Sequence, residues 1–132
     1  MRAMKPKFRA WDGSSAARMY TSSEVMVCDG DIWIFDEDSD SNEWIVNNDL
    51  SLMQSTGLFD KNDKEIFEGD IIDYNGRNAV VKWHGSYASF IYMFVDELRS
   101  RNQEWHPLYL SYFHFQVVGN KFETPALLEV SS

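Results

Sequence analysis

Residues 52–73 read LMQSTGLFDKNDKEIFEGDIID, and this stretch decides how the rest of the chain is understood. Its apolar pairs, Leu58-Phe59, Ile66-Phe67 and Ile71-Ile72, are separated by short charged or glycine-containing segments. Asp60-Lys61-Asn62-Asp63-Lys64 reads as a reverse turn in which Asn62 or Asp63 takes a positive φ. Glu65-Ile66-Phe67 returns as a short strand. Glu68-Gly69-Asp70 is a second tight turn. Gly69 permits the positive φ there, and Asp70 is placed to accept hydrogen bonds from backbone N–H groups. Ile71 to Tyr74 opens a new strand, Asn75-Gly76 is a hairpin turn, and Ala79 to Trp83 is the returning strand.

The same grammar extends in both directions. KFRAW, the Asp12-Gly13 turn and Met19-Tyr20 predict two strands. Val25 to Val27, Asp29-Gly30, Ile32 to Phe35, the polar loop at 36–43 and Trp44 to Val46 predict two consecutive hairpins. Trp33 and Trp44 are placed to sit on facing strands. Ser89 to Phe94 predicts a strand, 95–103 a helical turn or loop, and Leu108 to Tyr112 one helical turn. Phe113 to Val118 is expected as a strand with Phe113, Phe115 and Val117 on one face. Gly119-Asn120 is expected as a turn. Thr124-Pro125 is expected to cap and begin a short terminal helix over Ala126 to Val130.

Composition points to an all-β chain. Five Trp, six Tyr and nine Phe are spread over 132 residues in short segments broken by Gly, Asn and Asp, and aromatic residues suit pleated surfaces. The single cysteine, Cys28, excludes an intrachain disulfide and suits a reducing cytosol. No apolar run approaches the ~18 residues that span a bilayer. The opening MRAMKPKF has no apolar core of a signal peptide. A cytoplasmic protein without a membrane is therefore expected. The net charge is −9, and its excess is local: residues 19–60 carry ten carboxylates and no Lys or Arg. Such a surface repels phosphates, which disfavours nucleic acid as a partner. The composition shift near residues 47–52 suggests two lobes, 1–51 acidic and 52–132 carrying the central motif, which together form one compact domain or two.

Asp36-Glu37-Asp38-Ser39-Asp40 begins like a calcium-binding loop. It then has Ser41 where glycine makes the sharp turn and Asn47 where a bidentate Glu closes the coordination. His84, His106 and His114 have no zinc-ligand spacing. Cys28 lies beside Asp29, which suppresses the thiolate. Glu65, Glu68, Asp70 and Asp73 cluster locally but lack a neighbouring nucleophile or phosphate clamp. No cofactor, metal or catalytic set is expected. A nucleic-acid surface would have to use Arg77, Lys82, Trp83, Tyr87, Arg99 and Arg101. An acidic interaction patch of Asp36, Glu37, Asp38, Asp40 and Glu43 fits the charge distribution better.

The opening KFRAWD with Met19-Tyr20, the central stretch, and FQVVGNKFETPALL near the end resemble the YopX family of phage and prophage proteins. The residues that carry this resemblance include Gly57, Asp60, Asn62, Glu68, Gly69, Asp70, Gly119 and Asn120. Phe59 stands where a polar residue is usual, and Asp63 where glycine is frequent. The resemblance implies an all-β protein whose second lobe is a small SH3-like barrel. It also implies an origin in a phage or prophage, and hence the cytoplasm of a bacterial host. It implies no established activity or cofactor. The expected function is a non-enzymatic protein-interaction module that meets an unidentified host or phage protein. A small β-barrel that binds nucleic acid is the alternative, and self-association through strand edges stays open.

Overall fold

The computed structural model describes residues 6–35 and 43–129. Its elements are β-strands joined by turns and short 3-10 segments, an all-β architecture. The chain divides into two units, residues 1–55 and 56–132.

In the first unit β1 (Phe8–Asp12) pairs antiparallel with β2 (Arg18–Tyr20). A second sheet is formed by β3 (Val25–Cys28), β4 (Asp31–Phe35) and β5 (Trp44–Val46), in the order β3-β4-β5. The Asp29-Gly30 turn between β3 and β4 has positive φ at both residues, as a two-residue hairpin link needs. Trp33 and Trp44 do lie on neighbouring strands, although Trp44 stands directly opposite Phe35. The core consists of Ala10, Tyr20, Val25, Ile34 and Leu50.

Sequence reasoning missed β6 (Ser51–Phe59), a nine-residue strand whose first residues pair with β1. Its apolar residues are few and Ser, Gln and Thr interrupt them, so no clean alternation announces it. The division between the units falls within this strand.

In the second unit the end of β6 leads through the charged turn into β7 (Glu65–Phe67). A five-stranded antiparallel sheet follows. It comprises β8 (Asp70–Tyr74), β9 (Arg77–His84), β10 (Ser89–Phe94), β11 (His106–Pro107) and β12 (Gln116–Asn120), in the order β11-β10-β9-β8-β12. Ile66, Ile72, Ala79, Val81, Tyr92, Leu108, Phe115 and Val117 form its core. Asn75-Gly76 turns the β8-β9 hairpin with positive φ at both residues, as expected.

The end of the chain differs from expectation in three respects. Phe113 belongs to a 3-10 turn, Tyr112–His114, and is 52% exposed, while Phe115 and Val117 are buried. The strand therefore starts later than the apolar alternation suggested. Gly119-Asn120 closes β12 instead of turning, after a shift in register between Val117 and Gly119. The turn comes at residues 121–123. The terminal helix is a single 3-10 turn, Pro125–Leu128, and no side chain caps it. The Thr124 hydroxyl instead accepts from Asn120 N–H and donates to the Asn120 carbonyl, both at 2.9 Å.

Candidate functional site

The central stretch uses its acids to hold backbone. Asp60 is buried, and one of its oxygens, Oδ1, accepts the N–H groups of Asn62 and Lys64, each at 2.8 Å. Its other oxygen, Oδ2, accepts Val117 N–H at 2.8 Å, across 57 positions of sequence. Lys61 N–H donates to the Phe115 carbonyl beside it at 2.9 Å. One carboxylate thus closes the charged turn and joins it to β12. Asp70, also buried, accepts Phe67 N–H at 2.8 Å and so closes the second turn. Gly69, at φ +88°, is bonded to Val81 through its N–H and to Lys121 through its carbonyl. Asn120 repeats the device. Its Oδ1 accepts Phe122 and Glu123 N–H groups, and its amide donates to the Glu123 carboxylate at 2.8 Å.

Both Asp60 and Asp70 thus accept main-chain N–H groups. Asp73 accepts Gly76 N–H at 3.3 Å. Among the described residues no group of three or more His, Cys, Asp or Glu is placed to hold a metal ion. The histidines are separated, each against aromatic rings: His84 against Tyr87 and Trp105, His106 stacked on Tyr92, and His114 against Tyr74 and Phe113. Cys28 ends β3 and is exposed.

Of the residues considered for nucleic acid, Lys82, Arg99 and Arg101 are exposed, whereas Arg77 is engaged within the chain. The Arg77 guanidinium lies over the Phe94 ring at 3.6 Å. It is also bonded to both Asp96 oxygens, at 2.7 and 2.8 Å, and to Glu97 at 2.7 Å. The hydrogen bond to Asp96 raises its pKa, as the same bond lowers that of Asp96. Trp83, Tyr87 and Tyr109 are exposed. Trp83 and Tyr109 line a groove of about 280 Å³ with Leu58 and Phe90. Tyr87, Trp105, Pro107 and Tyr109 line another of about 460 Å³.

Of the predicted acidic patch, Asp36, Glu37, Asp38 and Asp40 lie outside the described residues. Glu43 is described, and is exposed just ahead of β5. Its neighbours supply the feature that sequence reasoning missed. In the three-stranded sheet Val25 stands opposite Ile34, and both are buried on the core face. Met26 pairs with Trp33, Trp33 with Val46, and Phe35 with Trp44, so these five side chains share the other face. Met26 is 40%, Trp44 38% and Val46 44% exposed. The Phe35 and Trp44 rings are 5.6 Å apart. The Trp33 indole nitrogen is buried, with no hydrogen-bond partner among the described residues. The signal was present in IWIF and WIV, continuous apolar runs where a sheet with one wet face should alternate.

Comparison with known proteins agrees with this architecture. No curated protein sequence matches the chain significantly. The crystal structure of protein EF1440 from Enterococcus faecalis is similar, with 26% sequence identity and a TM-score of 0.57. That likeness covers 96% of this chain and all of the other. No helix among the described residues is long and apolar enough to cross a membrane. The family model described as YopX protein matches residues 7–129, almost the whole sequence. The chain belongs to the YopX family.

Proposed function

We propose that this protein is a non-enzymatic protein-interaction module of phage or prophage origin, working in the host cytoplasm. The observation that carries this reading is the apolar outer face of the three-stranded sheet, set within a stretch of sequence that has acids and no Lys or Arg. Contiguous exposed apolar surface rimmed by polar groups marks an interaction site. Trp44 is the natural anchor, since buried tryptophans dominate the energetics of many interfaces. The use of Asp60, Asp70 and Asn120 to bind main chain supports a structural role for the central motif. The five-stranded sheet of the second unit supports an SH3-like small barrel there.

Affinity capture from lysogenic or phage-infected cells tests the reading. A protein retained by the wild type should be lost from Trp44→Ala and from the triple variant Asp36→Lys, Asp38→Lys, Asp40→Lys. Undiminished capture by both variants rejects it.

The two aromatic grooves of the second unit favour one alternative, stacking of single-stranded nucleic acid on Trp83, Tyr87 and Tyr109. The occupied Arg77 weighs against it. Absence of binding to single-stranded DNA and RNA at roughly 50 μM in low salt, where charge contacts are strongest, removes it.

A further inference from the structure

Strand β5 is the edge of its sheet among the described strands, pairing with β4 alone. Asn47 N–H donates to the Ile32 carbonyl at 2.8 Å. Bonding alternates along an antiparallel pair, so the main-chain groups of Ile45 turn inward to β4. Those of Trp44 and Val46 turn outward, where no described hydrogen bond uses them. All three residues of β5 are exposed. An open strand edge beside an apolar face is a template for another strand.

The charges around β5 select which strand that is. Glu43 precedes it, Asp49 follows it, and both are exposed. The sequence joining β4 to β5 is DEDSDSNE. Arg18, just before the acid-only stretch, is already held by Glu24 at 2.9 Å. A second copy of the chain, pairing β5 with β5, would set acidic flanks beside acidic flanks, which is destabilising. A cationic strand meets the opposite situation at both ends.

Resting on the interaction-module reading, we infer that β5 accepts an extended segment of a basic partner: a short apolar core flanked on both sides by Lys or Arg. The segment pairs with the outward main-chain groups of Trp44 and Val46. Its apolar side chains continue the Trp33, Phe35, Trp44, Val46 face, and its cations meet Glu43 and Asp49.

The probe is a fluorescent peptide, Lys-Arg-Val-Ile-Val-Arg-Lys, compared with the same peptide carrying Glu at every cationic position. Binding is read by anisotropy against the full chain. The cationic peptide should bind, the Glu peptide should not, and affinity should fall about tenfold or more as salt rises. Val46→Pro removes an outward N–H and leaves the β4 bonds in place, because an edge strand tolerates proline on its open side. It should abolish binding while circular dichroism stays that of the wild type. Glu43→Lys with Asp49→Lys changes two exposed side chains and should weaken binding about tenfold or more. Four outcomes overturn the inference. These are no binding of the cationic peptide, equal binding of the Glu peptide, unchanged binding by Val46→Pro, and a concentration-dependent dimer that Val46→Pro abolishes. Loss of a captured protein from Trp44→Ala alongside a silent peptide rejects strand addition alone and leaves the module reading standing.

Discussion

The three-stranded sheet of the first unit and the five-stranded sheet of the second are built from similar strings, yet they are used differently. IWIF and WIV in the first, and DIIDY and NAVVKW in the second, are short continuous apolar runs. In the second sheet both alternating sets are buried: Ile72, Ala79 and Val81 on one face, Ile71, Val80 and Ile91 on the other. In the first sheet Val25 and Ile34 are buried, while Val27 and Ile45 farther along their face and Met26, Trp44 and Val46 of the opposite face are exposed. Apolar strings record that a strand is apolar on both sides. They do not record whether the same chain covers both sides.

If that contrast is right, the second unit should fail at its internal fastenings, and the first should lose binding before it loses its fold. The largest effect is expected at Asp60. Replacing it with Ala deprives the N–H groups of Asn62, Lys64 and Val117 of their acceptor, two of them in the turn and one at buried Val117 in β12. Hydrogen bonds to a charged group contribute about 1.5–3 kcal/mol each, and their losses here are coupled. Asp60→Ala should therefore cost about 3 kcal/mol or more in urea denaturation. A cost near zero would show that the turn and β12 are held by other means.

Gly119→Ala comes next. A Cβ there would lie 2.1 Å from Thr124 Oγ1 and 3.1 Å from Leu127 Cδ1. The Thr124 hydroxyl cannot withdraw without losing both bonds to Asn120. Overpacking of this kind costs about 1–3 kcal/mol, read as a lowered melting temperature. Thr124→Gly in the same chain should recover part of the loss, because it removes the clashing atoms. No recovery would place the strain elsewhere.

Trp44→Ala should be mild for stability and severe for function. The ring is partly exposed and its aromatic contact is Phe35, so its removal should cost about 1 kcal/mol or less. Partner capture and peptide binding should nevertheless disappear. A melting temperature lowered as far as by Asp60→Ala would mean that the outer face is core, which would break the contrast.

The smallest effect is a pH dependence in the first unit. The Glu24 pKa lies below its ordinary value of 4.5, chiefly because Thr21 N–H donates to the carboxylate. Burial opposes this shift, and the Thr21 hydroxyl and Arg18 assist it. A carboxyl depressed in the folded state stabilises it above the unfolded value, and this contribution is lost as pH falls through the folded value. Glu24→Gln should thus be less stable than the wild type near neutral pH. The two should converge in denaturant titrations as pH falls below 4.5 and through the lowered folded-state value. Parallel curves down to low pH would show that the pairing contributes nothing to folding.

Much of the candidate surface could be read from the sequence in charge and composition, but not in geometry. The acid-only stretch and the tryptophans flanking the loop were evident. That Met26, Trp33, Phe35, Trp44 and Val46 share one face depends on register. A one-residue slip would send each of them to the other side. The motif acids were legible as turn residues. The reach of Asp60 to Val117 was not, since nothing near either residue encodes the other.

What the sequence determined by itself was local. Asp29-Gly30 and Asn75-Gly76 take the positive φ that their residue types allow cheaply, and Gly69 does the same beside Asp70. The family relationship and the all-β class followed from such punctuation and from the aromatic content. Tertiary structure alone decided what depends on distant partners. It gave the last strand a shift in register and packed Gly119 closely against Thr124. It left Phe113 in solvent while burying Phe115. It buried side chains on both faces of the five-stranded sheet, but in the three-stranded sheet it buried only Val25 and Ile34, on a single face. A turn is chosen by the torsional freedom of two or three residues, whereas burial is chosen by whatever surface the rest of the chain can bring to that place.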